Sequence, residues 1–174
     1  YTKYNRKEIC QKAEVLEYQG EKISGTKIYE NTKLQQHVQL ELLNKFMKVC
    51  KEHGLRFFMF YGSLLGTVRH QGYIPWDDDI DVVMPRKDYD RLIGIGESCF
   101  RYPYFVQTPE NDSEVFYGGY AKLRNSATTA MEPRNWKHSC NQGIWIDIFP
   151  LDNCSSNKEK NKELWEKIHF NQKM

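Results

Sequence analysis

Leu34, Val38, Leu42, Phe46, Val49 and Cys50 recur every three to four positions, with Glu and Lys between them. That period is a helix with one buried face, and Gly54 is a natural stop for it, giving about five turns. Leu55 to Tyr61 follows as an apolar run that predicts a buried strand. Ser63–His70 reads as a short helix, 71–76 as a loop punctuated by Gly72 and Pro75, and Asp79–Met84 as a second strand. Arg86–Ile95 places Tyr89, Leu92 and Ile93 on one helical face. Further strands are expected at Tyr104–Thr108, Tyr117–Arg124 and Ile144–Phe149, then an amphipathic helix from Ser156 capped by Ser155 or Ser156. Residues 1–33 are polar and weakly periodic, and read as short strands or an extended lead-in. Helix, strand, helix, strand, helix and more strands predict a mixed α/β fold with a small central sheet flanked by helices.

A chain of 174 residues suits one domain with a sizeable core. With 40% hydrophobic and 28% charged residues it is neither disordered nor a membrane protein, and it has no apolar run long enough to span a bilayer. A net charge of +2, without a dense Lys/Arg block, argues against a nucleic-acid partner. The chain opens without an initiator Met and closes inside a helix-like segment, so it reads as an excised domain. Cys10, Cys50, Cys99, Cys140 and Cys154 are scattered without a C-x-x-C pair, as expected of reduced thiols that serve mostly as small core residues.

The chemistry concentrates in residues 61–81. Asp77, Asp78, Asp79 and Asp81 place four carboxylates within five positions, directly ahead of Val82-Val83-Met84. On a strand, Asp79 and Asp81 would face the same way, about 7 Å apart along the backbone. Carboxylates so close repel unless a cation lies between them, and hard divalent ions take such ligands together with substrate phosphates. A calcium loop is excluded, because its sixth position requires Gly and here it is Val82. Asp77 shares the parity of Asp79 and is a candidate outer ligand. Asp147 interrupts Ile144, Ile146 and Ile148 from the opposite face of its strand, and it completes a three-carboxylate site if that strand lies beside the first. Gly62-Ser63, between a strand and a helix, offers backbone N–H groups to a phosphate. Lys122 and Arg124 alternate onto one strand face and are either phosphate ligands or ordinary surface cations; Arg69 and His70 either serve a diphosphate or pair with the acids. Tyr73 and Trp76 flank the cluster as pocket wall or core, and Trp145 reads as core. Together these features describe a metal-dependent site acting on a phosphate ester.

Gly62-Ser63-Leu64-Leu65-Gly66, Ile74-Pro75-Trp76-Asp77-Asp78-Asp79-Ile80-Asp81, the basic strand Lys122-Leu123-Arg124 before Thr128-Thr129, and the segment from Gly143 to Asp152 together resemble the LicD family, which includes bacterial phosphocholine transferases and, more distantly, fukutin and fukutin-related protein. The resemblance runs from about Leu34 to Asp152 and leaves 1–33 as a lead-in and 153–174 as a C-terminal helix. It implies a nucleotidyltransferase-like fold with Gly62, Ser63, Asp79, Asp81 and Asp147 in the signature positions. It implies Mg²⁺ or Mn²⁺, a CDP-linked donor such as CDP-choline, a glycan or glycolipid acceptor, and transfer of phosphocholine or ribitol phosphate with release of CMP. It also implies a cytoplasmic, membrane-peripheral place for a bacterial-type member and the Golgi lumen for a fukutin-type one. Transfer of a nucleoside monophosphate with loss of diphosphate, and a non-catalytic glycan- or nucleotide-binding module, are the alternatives to test.

Overall fold

The computed structural model describes residues 25–112, 114, 119–131 and 137–171. The lead-in before Gly25, together with Cys10, Tyr117 and Trp136, lies outside them. Among the described residues, four helices and one five-stranded sheet follow in the order α1 (Gly25–His53), β1 (Phe58–Met59), α2 (Tyr61–His70), β2 (Asp81–Pro85), α3 (Arg86–Cys99), β3 (Tyr104–Gln107), β4 (Ala121–Asn125), β5 (Ile144–Leu151) and α4 (Lys158–Asn171). The strands lie in the order β1-β2-β5-β4-β3, with β2 and β5 parallel and every other neighbouring pair antiparallel. None of the described helices is long and apolar enough to cross a membrane.

One face of the sheet carries the core. Val82 and Met84 of β2, Ile146 and Ile148 of β5, Ala121 and Leu123 of β4 and Val106 of β3 are buried against Leu42, Phe46, Val49 and Cys50 of α1 and Tyr89 and Leu92 of α3. Both helices cover the same side, which frees alternate strand positions on the other side for polar groups. Gly54, with φ of 60°, closes α1 in the left-handed conformation. The Leu55 N–H then donates to the Cys50 carbonyl at 2.8 Å, the long bond of a Schellman cap.

Several boundaries differ from the sequence reading. α1 starts at Gly25, so residues 25–33 are helical and not a strand or lead-in. Leu34 is exposed despite its periodicity, because the helix there overhangs a polar loop. The expected strand from Leu55 to Tyr61 shrinks to Phe58–Met59. Its beginning is spent on the α1 cap. At its end the Phe60 carbonyl accepts from Leu64 N–H and starts α2 two residues ahead of Ser63. β2 starts at Asp81 and leaves Asp79 outside the strand. α3 continues past Ile95 to Cys99, β5 continues through Pro150 to Leu151, and β4 runs Ala121–Asn125. At α4 the cap is Asn157, whose Oδ1 accepts from Glu159 N–H at 2.8 Å, while Ser155 Oγ accepts from Asn157 N–H. Cys50 and Cys140 are buried free thiols, whereas Cys154 is exposed.

Two glycines in helices distinguish packing from propensity. A Cβ at Gly66 would stand 2.5 Å from the Gly72 carbonyl oxygen, where the 71–76 loop folds back on α2, whereas Gly94 of α3 has nothing within 4 Å. Gly66→Ala is expected to destabilise by about 1–3 kcal/mol, and Gly94→Ala to stabilise by about 0.5–1 kcal/mol, both read from urea unfolding midpoints.

Candidate active site

The register of the sheet lines polar residues up in one row across its open face. Asp81 of β2 sits beside Asp147 of β5, Asp147 beside Lys122 of β4, and Lys122 beside Gln107 of β3. Asp79 joins the row from the loop ahead of β2. One carboxylate oxygen from each of Asp79, Asp81 and Asp147 lies within 4.8 Å of the other two. The strand-parity argument for Asp79 therefore gives way to a loop held from outside. Gln36 Nε2 donates to the Asp77 carbonyl at 2.7 Å, and Gln35 and Gln39 donate to the Asp78 carbonyl at 2.6 and 2.7 Å. Gln39 is fully buried; it also donates to the Trp145 carbonyl at 3.3 Å and accepts from the Tyr73 hydroxyl at 3.0 Å.

Ser63 couples α2 to this row. With the Phe60 carbonyl committed to the helix, the Asp81 N–H donates instead to Ser63 Oγ at 2.9 Å, so a side chain replaces one rung of the β1–β2 ladder. The N–H groups of Gly62 and Ser63 precede the first intrahelical bond, as at any helix start. Gly62 lies against Asp77, since a Cβ there would stand 2.8 Å from Asp77 Oδ2 and displace that carboxylate. Asp77 therefore borders the site through α2 and also forms a second acidic group with Asp78 and Asp79.

Lys122 is 3% exposed, with its Nζ 3.2 Å from Asp147 Oδ1 and 4.1 Å from the Trp145 ring centroid. Asp147 Oδ1 is itself buried, so the ion pair is closed off from solvent. Asp147 Oδ2 accepts from the Trp145 indole N–H at 3.1 Å. Arg124, at 1% exposure, donates from Nε to Gln107 Oε1 and from Nη1 to the Gly143 carbonyl at 2.6 Å, and its guanidinium lies 4.9 Å from the Trp145 ring centroid. It is built into the sheet and is not an open phosphate ligand. Trp145 is half-buried and belongs to the site wall; the expectation that it is core fails because it shares the Asp147 face. Arg69 donates to His70 Nδ1 at 3.3 Å and makes no ion pair with the described acids, while His70 meets Trp76 edge-on. Trp76 is exposed, and Tyr73 is a structural hydrogen-bonder through Gln39.

Burial raises the carboxylates first and mutual repulsion adds to it. Asp79 is pushed up to about 6 by burial and by Asp77, Asp78 and Asp147. Asp81 is pushed up to about 7 by burial and by Asp79, Asp147 and Asp77, against the pull of Lys122. Asp147 is raised by burial, opposed by Lys122, the Trp145 hydrogen bond and Arg124. Three partly buried carboxylates that resist ionising together form a donor set that suits a hard divalent cation.

The sequence profile described as LicD/FKTN/FKRP, nucleotidyltransferase domain, matches residues 54–174 and so runs through α4, past Asp152. Over 118 residues the chain is 32% identical to the lipopolysaccharide cholinephosphotransferase LicD of Haemophilus influenzae; the alignment covers 68% of this chain and 43% of that protein. Over 48 residues it is 37% identical to an uncharacterized protein of Rickettsia prowazekii and 35% identical to one of Rickettsia typhi, each covering 28% of this chain and less than a fifth of the relative. The fold and the acidic row define a mixed α/β domain built around three converging carboxylates. The chain belongs to the LicD/FKTN/FKRP family and carries its nucleotidyltransferase domain. It spans less than half the length of the Haemophilus relative.

The raised carboxylates fix the sign of a pH dependence. Asp79 and Asp81 bind protons more tightly folded than unfolded, so their contribution is full below the unfolded value near pH 4 and is lost as pH rises through about 6 to 7. The melting temperature of the metal-free domain is expected to fall across that window. Asp81→Asn should flatten the fall, and millimolar Mg²⁺ or Mn²⁺ should restore the midpoint at pH 8 in the parent protein only. Thermal unfolding scans at stepped pH, with and without chelator, read all three outcomes.

Proposed function

We propose that this domain transfers a phospho-alcohol, phosphocholine or a related group such as ribitol phosphate, from a CDP-linked donor to a hydroxyl of a glycan or glycolipid, releasing CMP. The observation that carries the reading is the convergence of Asp79, Asp81 and Asp147 within 4.8 Å, in a domain of this family. Those three residues would hold Mg²⁺ or Mn²⁺, with Asp77 as an outer partner. The cation supplies charge neutralisation at the donor diphosphate.

The remaining chemistry belongs to the chain. Asp147 would orient, or deprotonate, the attacking hydroxyl, and the buried Lys122, 3.2 Å from its Oδ1, holds that carboxylate in place. Gly62 and Ser63 offer α2 N–H groups to a donor phosphate beside the acidic row. Arg124 acts through Trp145 and by its charge. Arg69, at the far end of α2, would reach only an extended part of the donor. A bacterial-type member would act in the cytoplasm at the membrane periphery, a fukutin-type member in the Golgi lumen. Nucleoside monophosphate transfer would use the same residues, and the family's domain description keeps it as the second reading.

The test is release of CMP from CDP-choline or CDP-ribitol with a glycan acceptor. Asp79→Asn, Asp81→Asn and Asp147→Asn are each expected to lower turnover about 100-fold or more, as loss of a group that stabilises transferring charge does. Chelation should abolish turnover. Asp152 forms a fork with Arg86 at 2.6 and 2.8 Å, away from the acidic row, and Asp152→Asn should change turnover by less than about threefold. Diphosphate release instead of CMP would select the second reading. Absence of turnover with every CDP-alcohol and nucleotide would select a binding module.

A further inference from the structure

The row next to the acids on the open face is aromatic. Continuing the β4–β5 register one step past Ala121 and Ile148 sets Tyr120 opposite Phe149, and their rings lie 4.5 Å apart at 31°. Phe149 follows Asp147 by two residues on the same strand face, and Tyr120 precedes Lys122 by two, so this pair stands about 7 Å from the Asp147–Lys122 pair. Tyr61 meets Phe149 edge-on, with centroids 5.8 Å apart and planes at 88°. Phe60 backs Tyr61 at 4.0 Å. The result is two ring walls at nearly a right angle, in the row next to the carboxylates.

Two observations assign a ligand class to this corner. Tyr61 holds a φ of 41°, a region that a tyrosine rarely occupies, yet the residue is 64% exposed. Burial therefore does not compensate that strain, as expected where a side chain is placed for a ligand. Cation–ring contact is also already in use here, since the Lys122 ammonium lies 5.9 Å from the Tyr120 centroid and 4.1 Å from that of Trp145. A quaternary ammonium donates no hydrogen bond and is recognised by such faces. A polyol would instead need several polar partners, and Phe58, Val83 and Phe149, side by side in this row, offer none.

We propose that Tyr61, Tyr120 and Phe149 seat the trimethylammonium group of a phosphocholine donor, and so select choline over alcohols that lack a quaternary cation. The assignment rests on the phospho-alcohol transfer proposed above, and it names the substrate class. With the phosphoryl group at the acidic row, a two-carbon linker reaches from that row to the rings.

The test measures binding of phosphocholine, phosphoethanolamine, ribitol phosphate and the uncharged tert-butyl isostere of phosphocholine to the full chain with Mg²⁺ or Mn²⁺, by calorimetry. The parent protein should prefer phosphocholine to the other three by about 3- to 30-fold. Tyr120→Leu and Tyr61→Leu should each remove most of that preference, and Tyr120→Phe should keep it. Equal binding of phosphocholine and its uncharged isostere by the parent protein overturns the proposal without any variant having to fold. So does an unchanged preference in folded Tyr120→Leu and Tyr61→Leu. CMP release separates the two readings: turnover of CDP-alcohols with no choline preference defeats only the aromatic seat. Ring-dependent choline binding without turnover of any CDP-alcohol supports the seat and defeats the transfer reaction.

Discussion

Everything in this domain is arranged around charges that repel one another. Asp79, Asp81 and Asp147 bring carboxylate oxygens within 4.8 Å while the last two are buried, an arrangement no isolated loop would hold. The opposing force is the backbone. Parallel pairing of β2 with β5 fixes Asp81 beside Asp147, and every rung of that ladder would have to shift to separate them. The apolar face beneath, filled by α1 and α3, makes such a shift costly because a one-residue slip turns Val82, Met84, Ile146 and Ile148 outward. Hydrophobic burial on one side of the sheet thus sustains electrostatic strain on the other.

A second layer of polar contacts shapes what the sheet cannot. Asp79 belongs to no strand, and α1 holds its loop by the main-chain carbonyls of Asp77 and Asp78. Lys122 and Arg124 both lie against the Trp145 ring, so two cations and one ring form a wall beside Asp147. Each buried cation has a defined partner, as burial of such groups demands.

The chain showed much of this in its residues. The alternation of Ile144, Ile146 and Ile148 around Asp147 reads directly as a two-faced strand, and the same alternation assigns Trp145 to the Asp147 face once it is followed through. The 3.6-residue period locates α1 and α3 but not their ends, because the last turns of α3 and the first of α1 carry few apolar positions. The strand through Asp79 was misread because alternation is judged from side chains, whereas Asp77 and Asp78 spend their carbonyls on glutamine amides from a helix about forty residues earlier. Nothing local in Gln35, Gln36 or Gln39 distinguishes them from ordinary solvent-facing residues. Their role exists only in three dimensions. The aromatic row likewise follows from register, which a sequence does not state.

Gln39 has a consequence for how the molecule comes to exist. Its one side chain joins segments 39 and 106 residues away along the chain. Bonds of that span close only after much of the intervening chain is ordered, since closure entropy must be overcome before such contacts contribute. The acidic loop is therefore expected to take its shape late in folding. A chain with helices and sheet in place but this amide unengaged would be compact and would lack the acidic row, so engagement of Gln39 marks completion of the native topology rather than mere collapse.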